Sequence, residues 1–247
     1  MPLRDMAPVA VFDLDGTVLD INSFPHWVMF LIAGHLPEIG LHRRLLLSLR
    51  VALRVLQRKL LGTSHEALLR HLQAAWRSAI RQRPHASLHR FEAVLLQRVR
   101  PNLGRVLQLV ATGQIDAVLA TAAAEDYAAG LGRQLGFRHV LATGSDRRHD
   151  DPANSGVHKR GQVLAFLVAH GWNARPIILF TDHLDDLPLM RDSSTVYWCG
   201  PPDTMPQAVA AAAGVSFIRC NELPGTALAE QFSNTCQPDV LRLSAVS

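Results

Sequence analysis

The chain is poor in cysteine, aromatic residues and long hydrophobic runs, and each shortage excludes something. Its three cysteines, Cys199, Cys220 and Cys236 among 247 residues, have no metal-ligand spacing and are an odd number for a disulfide framework. A reducing compartment is therefore expected. The most apolar stretch, residues 27–33, is far too short to span a bilayer. Ahead of Asp13 only residues 7–12 are apolar, with no cleavage-like tail after them. No signal peptide is therefore expected, and a soluble, cytoplasmic protein is expected. Aromatic residues make up 6% of the chain, and residues 36–102 hold only Trp76 and Phe91. The basic stretch there lacks interleaved stacking side chains, so no nucleic-acid partner is expected. There is no internal repeat.

What is there is unevenly distributed. The formal net charge is +4. Residues 23–100 carry twelve arginines and Lys59 against Glu38, Glu66 and Glu92, a net +10, which leaves −6 for the remainder. Such a split suggests two modules with different tasks. At 48% hydrophobic residues, the length suits one α/β domain with an insertion or two modest domains. Within the basic stretch, residues 42–61 read as an amphipathic helix, with Leu45, Leu49, Leu53, Leu56 and Leu60 in one row. Arg50, Arg54 and Arg58 form a second row at i, i+4, i+8. Ser64 is placed to cap a helix over residues 65–80, Pro84 breaks it, and residues 87–99 read as helical again. Pro101 suits the first turn of the next helix.

On either side of this insertion the pattern is α/β. Val9-Ala10-Val11-Phe12 is a short apolar run that ends in Asp13-Leu14-Asp15-Gly16-Thr17, a buried strand followed by a turn that Gly16 permits. In an open α/β sheet the functional site lies beyond the carboxyl ends of such strands. Two carboxylates clustered there repel each other and lose hydration unless a cation or a shared proton compensates them, so Asp13 and Asp15 mark a metal-assisted site. Further strands are expected at residues 115–121, 140–143, 176–181, 196–199 and 215–218. Helices are expected at 125–135 and 161–170, with a polar loop over 144–158. Asp182, Asp185 and Asp186 form a second acidic strand end.

Asp13 to Thr17 after a hydrophobic strand resembles the first motif of the haloacid dehalogenase superfamily. The layout, with helices inserted directly after that motif, resembles its phosphoserine-phosphatase-like branch over nearly the whole chain. Asn22-Ser23 to Trp27 and, more specifically, Phe180-Thr181-Asp182-His183-Leu184-Asp185-Asp186-Leu187 carry the likeness. It implies a Rossmann-like, doubly wound parallel-sheet core at residues 1–22 and 101–247, with a helical cap domain at 23–100. It also implies a Mg2+-dependent phosphatase acting on a small-molecule phosphate monoester. Asp13 matches the nucleophile that forms a phospho-aspartate. Asp15 matches the general acid and base, with its carbonyl a metal ligand; an aspartate there favours phosphoryl transfer over dehalogenation. Thr121 matches the hydroxyl that binds a phosphoryl oxygen, Asp182 the principal metal ligand and Asp186 the supporting acid. Lys159, one of two lysines in a chain with 23 arginines and expected just before a helix, suggests a need for a compact point charge. It matches the lysine that bridges nucleophile and phosphoryl group, with the adjacent Arg160 as its competitor. His183 stands where relatives commonly have serine and is given no catalytic role, and Asp185 is read as solvated or capping.

The region that carries a substrate-recognising glutamate in true phosphoserine phosphatases holds Asp20-Ile21-Asn22-Ser23-Phe24 here. This puts phosphoserine in doubt and leaves Asn22 and Ser23 as candidate substrate-selecting residues. The arginine-rich insert admits three readings: a solvated face, steering of a polyanionic substrate, or peripheral contact with an anionic membrane. Oligomeric state is left open. The competing functions are a phosphotransferase or phosphomutase using the same intermediate, and a non-catalytic module that binds a membrane surface or a phospholigand.

Overall fold

The computed structural model describes residues 7–33, 36, 39–81, 88–145, 151–205 and 215–237. Six strands, β1 (Val9–Phe12), β2 (Ala117–Ala124), β3 (His139–Thr143), β4 (Ile177–Thr181), β5 (Ser193–Trp198) and β6 (Ser216–Arg219), form one parallel sheet in the order β3-β2-β1-β4-β5-β6. The order reverses beside β1, and the crevice at that switch point is where a doubly wound sheet places its ligand. Phe12 lies level with Leu119 of β2 and Phe180 of β4, so Asp13 and Asp182 leave the sheet side by side.

Side chains alternate between the two faces of the sheet. Ala10, Phe12, Leu119, Ile178, Phe180 and Tyr197 face one core, shared with Val106 of α5 (Gly104–Ala111), Leu131 of α6 (Glu125–Gln134) and Phe232 of α9 (Gly225–Thr235). Phe12, Phe180 and Tyr197 stack in series at 4.3 and 4.4 Å across three strands. Such pairs add about 0.5–1.5 kcal/mol each beyond the area they bury. Val9, Val11, Val118, Leu179 and Val196 face the other core, closed by Val163 and Leu167 of α7 (Gly156–Ala169) and by Leu189 and Met190 of α8 (Leu187–Met190). Asp13, two residues beyond Val11, continues toward the face that α7 covers.

Between β1 and β2 run α1 (Ser23–Ala33), α2 (Leu41–Leu61), α3 (His65–Ile80) and α4 (His89–Leu96). Trp27, Leu31, Leu72, Trp76 and Phe91 from this insert join the same hydrophobic cluster as Phe12 and Phe180. The Ser64 hydroxyl accepts the Ala67 N–H at 3.1 Å, capping α3. Pro84 and Ser87 lie outside the described residues. Pro101 opens a short turn, Pro101–Leu103, that leads directly into α5.

Two helices are placed in ways that residue order alone does not show. The leucine row of α2 points away from the protein. Leu45, Leu49, Leu53, Leu56 and Leu60 are 49–73% exposed, while Leu47 and Val51 are the buried residues. Periodicity shows that a helix has an apolar face but not which side the protein covers, and α2 docks through a narrow seam instead. Second, α7 starts at Gly156 rather than residue 161, so Lys159 sits inside a helix and not ahead of it. Gly156 and Gly161, poor helix formers, obscure that start in sequence. Gly161 faces open space, where the absence of a side chain costs no packing.

Among the described residues, no helix is long and apolar enough to cross a membrane.

Candidate active site

The chain turns sharply after β1. Asp15 stays extended (φ −72°, ψ 131°), Gly16 adopts φ +70°, and the Leu19 N–H closes on the Leu14 carbonyl at 2.9 Å. Gly16 is needed twice over. Its φ disfavours any side chain, and a Cβ there would fall 2.0 Å from Asp182 Oδ2. The two acidic strand ends therefore meet across a space only a glycine leaves open. Thr17 Oγ1 donates to Asp182 Oδ1 at 3.1 Å and fixes that carboxylate.

Asp13 and Lys159 form a buried pair. Lys159 Nζ donates to Asp13 Oδ1 at 3.0 Å, and it lies 2.8 Å from Asp186 Oδ1. Thr181 Oγ1 donates to Asp186 Oδ2 at 2.7 Å, so the second carboxylate is held by hydroxyl and ammonium together. Upstream of α7, Asn154 ties the polar loop to β3. Its Nδ2 donates to the Leu141 carbonyl at 2.7 Å, and its backbone N–H to Thr143 Oγ1 at 3.0 Å. That anchor places the start of α7, and hence Lys159. Arg160 points elsewhere and pairs with Asp192. Of the two candidates, Lys159 alone reaches Asp13.

Burial pushes the Asp13 carboxyl up to about 7 against the opposing pull of Lys159. Burial also raises Asp15 and Asp182 above the ordinary carboxylate range. For Lys159, burial acts downward, but the carboxylates of Asp13 and Asp186 outweigh it and hold the ammonium charged. Three desolvated acids in one cavity are electrostatically unfavourable unless a cation or protons relieve them.

Asp15 accepts the Ser23 backbone N–H at 2.9 Å, and the Ser23 hydroxyl shares a 2.7 Å hydrogen bond with the buried Tyr127 phenol. Ser23 is fully buried behind Asp15. Its side chain is committed to the protein, which corrects its reading as a substrate-selecting group. The cavity, about 440 Å³, is lined by Asp13, Asp15, Asn22, Thr121, Lys159 and Asp182, with Phe24, His65 and Glu66 from the insert and Asp186 behind. Its size is that of a small-molecule site. Asn22 lines it while accepting the Phe24 N–H at 3.0 Å. Thr121 is buried and accepts the Ala123 N–H at 3.1 Å. His183 and Asp185 stand at the rim, with the His183 ring accepting the Asp185 N–H at 3.1 Å.

Sequence reasoning missed Arg100. Its Nη2 and Nε donate to the Gly16 and Thr17 carbonyls at 2.6 and 3.0 Å, and its Nη1 to Asn221 Oδ1 at 3.0 Å. It clamps the turn that carries Asp15. The only sequence signal is an arginine next to Pro101, which does not point to the turn.

The oxygens of Asp13, Asp182 and the Asp15 carbonyl suit a hard divalent cation. Mg2+ is bound through one or two carboxylates and keeps water or phosphate at its remaining positions. The absence of a side chain at Gly16 lets the Asp182 carboxylate stand directly against the turn that follows the Asp15 carbonyl. Among the described residues, no three His, Cys, Asp or Glu side chains converge as a complete cage, so solvent and substrate oxygens would complete the shell.

Comparison with known proteins agrees with this architecture. No curated protein matches the sequence. A protein with unknown function from Bordetella pertussis Tohama I superposes with a TM-score of 0.65 at 17% identity, over 87% of this chain and 99% of the other. A probable phosphoserine phosphatase from Vibrio cholerae, in unliganded form, gives 0.55 at 14% identity over 99% and 70%. The "predicted phosphatase" of Clostridium acetobutylicum gives 0.51 at 12% identity over 93% and 99%. These likenesses concern the fold. The family model for haloacid dehalogenase-like hydrolases matches residues 10–191, and the chain belongs to that family.

Proposed function

We propose that this chain is a Mg2+-dependent phosphatase that hydrolyses a small-molecule phosphate monoester through a transient phospho-Asp13. The observation that carries the reading is the Asp13 carboxylate at the end of the central strand, 3.0 Å from Lys159 Nζ, in one cavity with Asp15, Thr121 and Asp182.

In the first step an Asp13 oxygen attacks phosphorus, and the bond from phosphorus to the leaving oxygen breaks. Asp15 gives its proton to that oxygen as it departs. The raised carboxyl of Asp15 supports this acid role, because it keeps the proton available nearer neutral pH. In the second step Asp15 takes a proton from water, the water oxygen bonds to phosphorus, and Asp13 is released with free phosphate. Thr121 and Lys159 bind the phosphoryl oxygens, and Asp186 keeps Lys159 charged and aimed. A Mg2+ ion held by Asp13, the Asp15 carbonyl and Asp182 would supply neutralisation of the phosphoryl charge. The helices of residues 23–100 act as a cap over a core of residues 1–22 and 101–247. Asn22, Phe24, His65 and Glu66 border the space left for the leaving group. The reading sets the enzyme in the cytoplasm, where its three free thiols persist.

The test is phosphate release from an aryl phosphate with Mg2+ or with a chelator, by wild type and Asp13→Asn. Release that requires the metal and disappears in the variant supports the reading. An inactive wild type, or full activity in the variant, contradicts it.

A further inference from the structure

Helix α2 carries its apolar face outward. Leu45, Leu46, Leu49, Leu53, Leu56 and Leu60 are 49–73% exposed, although the helix is seated on the protein through Leu47 and Val51. At 100° per residue these six leucines fall within an arc of about 100°, and Leu41 widens it to about 140°. That is wider than the strict two-position seam of a coiled coil. A contiguous apolar patch of this kind on a folded protein marks a surface that binds something.

Its borders identify the partner. Residues 41–61 hold Arg43, Arg44, Arg50, Arg54, Arg58 and Lys59 and no acidic residue. Arg50 and Arg54 run along the side toward α3, where Arg50 Nη1 lies 3.5 Å from Ser78 Oγ. Arg44 and Lys59 lie on the opposite border. Long cationic side chains beside an apolar stripe can bury their stems in lipid and reach outward to phosphate. A second copy of the helix would instead set cations against cations, with no anion to meet them. An apolar face of leucines flanked by arginine and lysine fits an anionic bilayer surface.

We propose that α2 docks this protein onto anionic membrane, lying in the interface with its leucine face in the acyl boundary and its arginines among the headgroups. The proposal does not depend on the phosphatase reading. Co-sedimentation of the full chain is measured with vesicles of phosphatidylcholine alone and of phosphatidylcholine mixed with phosphatidylglycerol. Two variants are compared: Leu49→Gln/Leu53→Gln/Leu56→Gln, and Arg50→Gln/Arg54→Gln. All these positions are exposed, so both variants keep the wild-type melting temperature and far-UV circular dichroism spectrum, which verifies folding. Wild type binds the anionic vesicles at least about ten-fold more tightly than the neutral ones, and each variant loses about ten-fold or more. Wild type that fails to bind anionic vesicles, or binding that survives the leucine substitutions, overturns the proposal. So does a concentration-dependent dimer that the leucine variant dissolves, without vesicle binding, which assigns the face to a second copy.

Discussion

Arg100 Nη2 donates to the Gly16 carbonyl at 2.6 Å, joining the end of the helical insert to the turn that carries the acidic motif. With its second bond to the Thr17 carbonyl, the guanidinium satisfies two successive backbone oxygens and fixes the turn that follows Asp15. The sequence motif supplies the acids, and Arg100 sets how they stand to each other.

Arg100→Ala is therefore expected to reduce kcat by about 10- to 100-fold, the scale on which small misplacement of a reacting group acts. KM changes less, because Arg100 does not line the cavity. Arg100→Lys, which can satisfy one carbonyl but not the planar pair, falls between. Steady-state kinetics on an aryl phosphate separates this positioning loss from a merely structural one, in which kcat per folded molecule would be unchanged.

Lys159→Ala leaves Asp13 and Asp186 buried together without their shared cation. Removing one partner of such a buried set costs on the order of 3–5 kcal/mol. Denaturant unfolding of wild type and variant measures it. Lys159→Ala/Asp186→Asn removes one of the stranded charges and recovers part of the stability, while turnover stays lost in both. A double variant as unstable as the single one contradicts the pairing.

Gly16→Ala is expected to push Asp182 aside. The new methyl group would meet Asp182 Oδ2 at 2.0 Å and would have to adopt φ +70°, a backbone penalty of roughly 1–2 kcal/mol. The variant folds with a lower Tm and needs a higher Mg2+ concentration for half-maximal activity. A Mg2+ titration of activity shows whether the requirement moves.

Asp126 provides a stability test away from the cavity. Burial raises its carboxyl despite the 3.0 Å hydrogen bond from Gln73 Nε2 that joins α3 to α6. The folded state therefore holds the proton more tightly than the unfolded chain does. Once pH exceeds the unfolded value of about 4, the native state carries a penalty for ionising, and stability falls through the folded value. Asp126→Asn stays neutral and still accepts from Gln73. Its Tm exceeds that of wild type near pH 7, and the difference vanishes below about pH 4. Thermal melts at the two pH values check the sign.

Much of this was legible from residue order because the central strands carry their own signal. β1 and β4 are buried on both faces, so each reads as an apolar run leading into aspartate, directly at Asp13 and through Thr181 at Asp182. Asp13, Asp15 and Asp182 follow from those endings, whereas Thr121 lies inside β2. What stayed hidden depends on partners distant in sequence. Arg100 works through backbone carbonyls more than eighty residues away, a distance its own neighbours do not reveal. Ser23 has the residue type of a substrate contact, but its hydroxyl is taken by Tyr127. Lys159 was identified from its rarity among arginines, yet its helix begins at Gly156, under residues that normally end helices. On α2, the same leucine period that marked an amphipathic helix gave no information about which face the protein covers.

Covalent catalysis by Asp13 is tested by looking for phosphate on that side chain itself. Asp15→Asn should still be phosphorylated by an aryl phosphate, whose leaving group needs no acid, but should fail to activate water for the second step. A hydroxylamine-labile phosphoryl group is expected to accumulate on the Asp13 peptide of this variant, as mapped by mass spectrometry, and to be absent from Asp13→Asn/Asp15→Asn. Wild-type turnover with no phosphoryl group ever found on Asp13, or with one found on another residue, would contradict it.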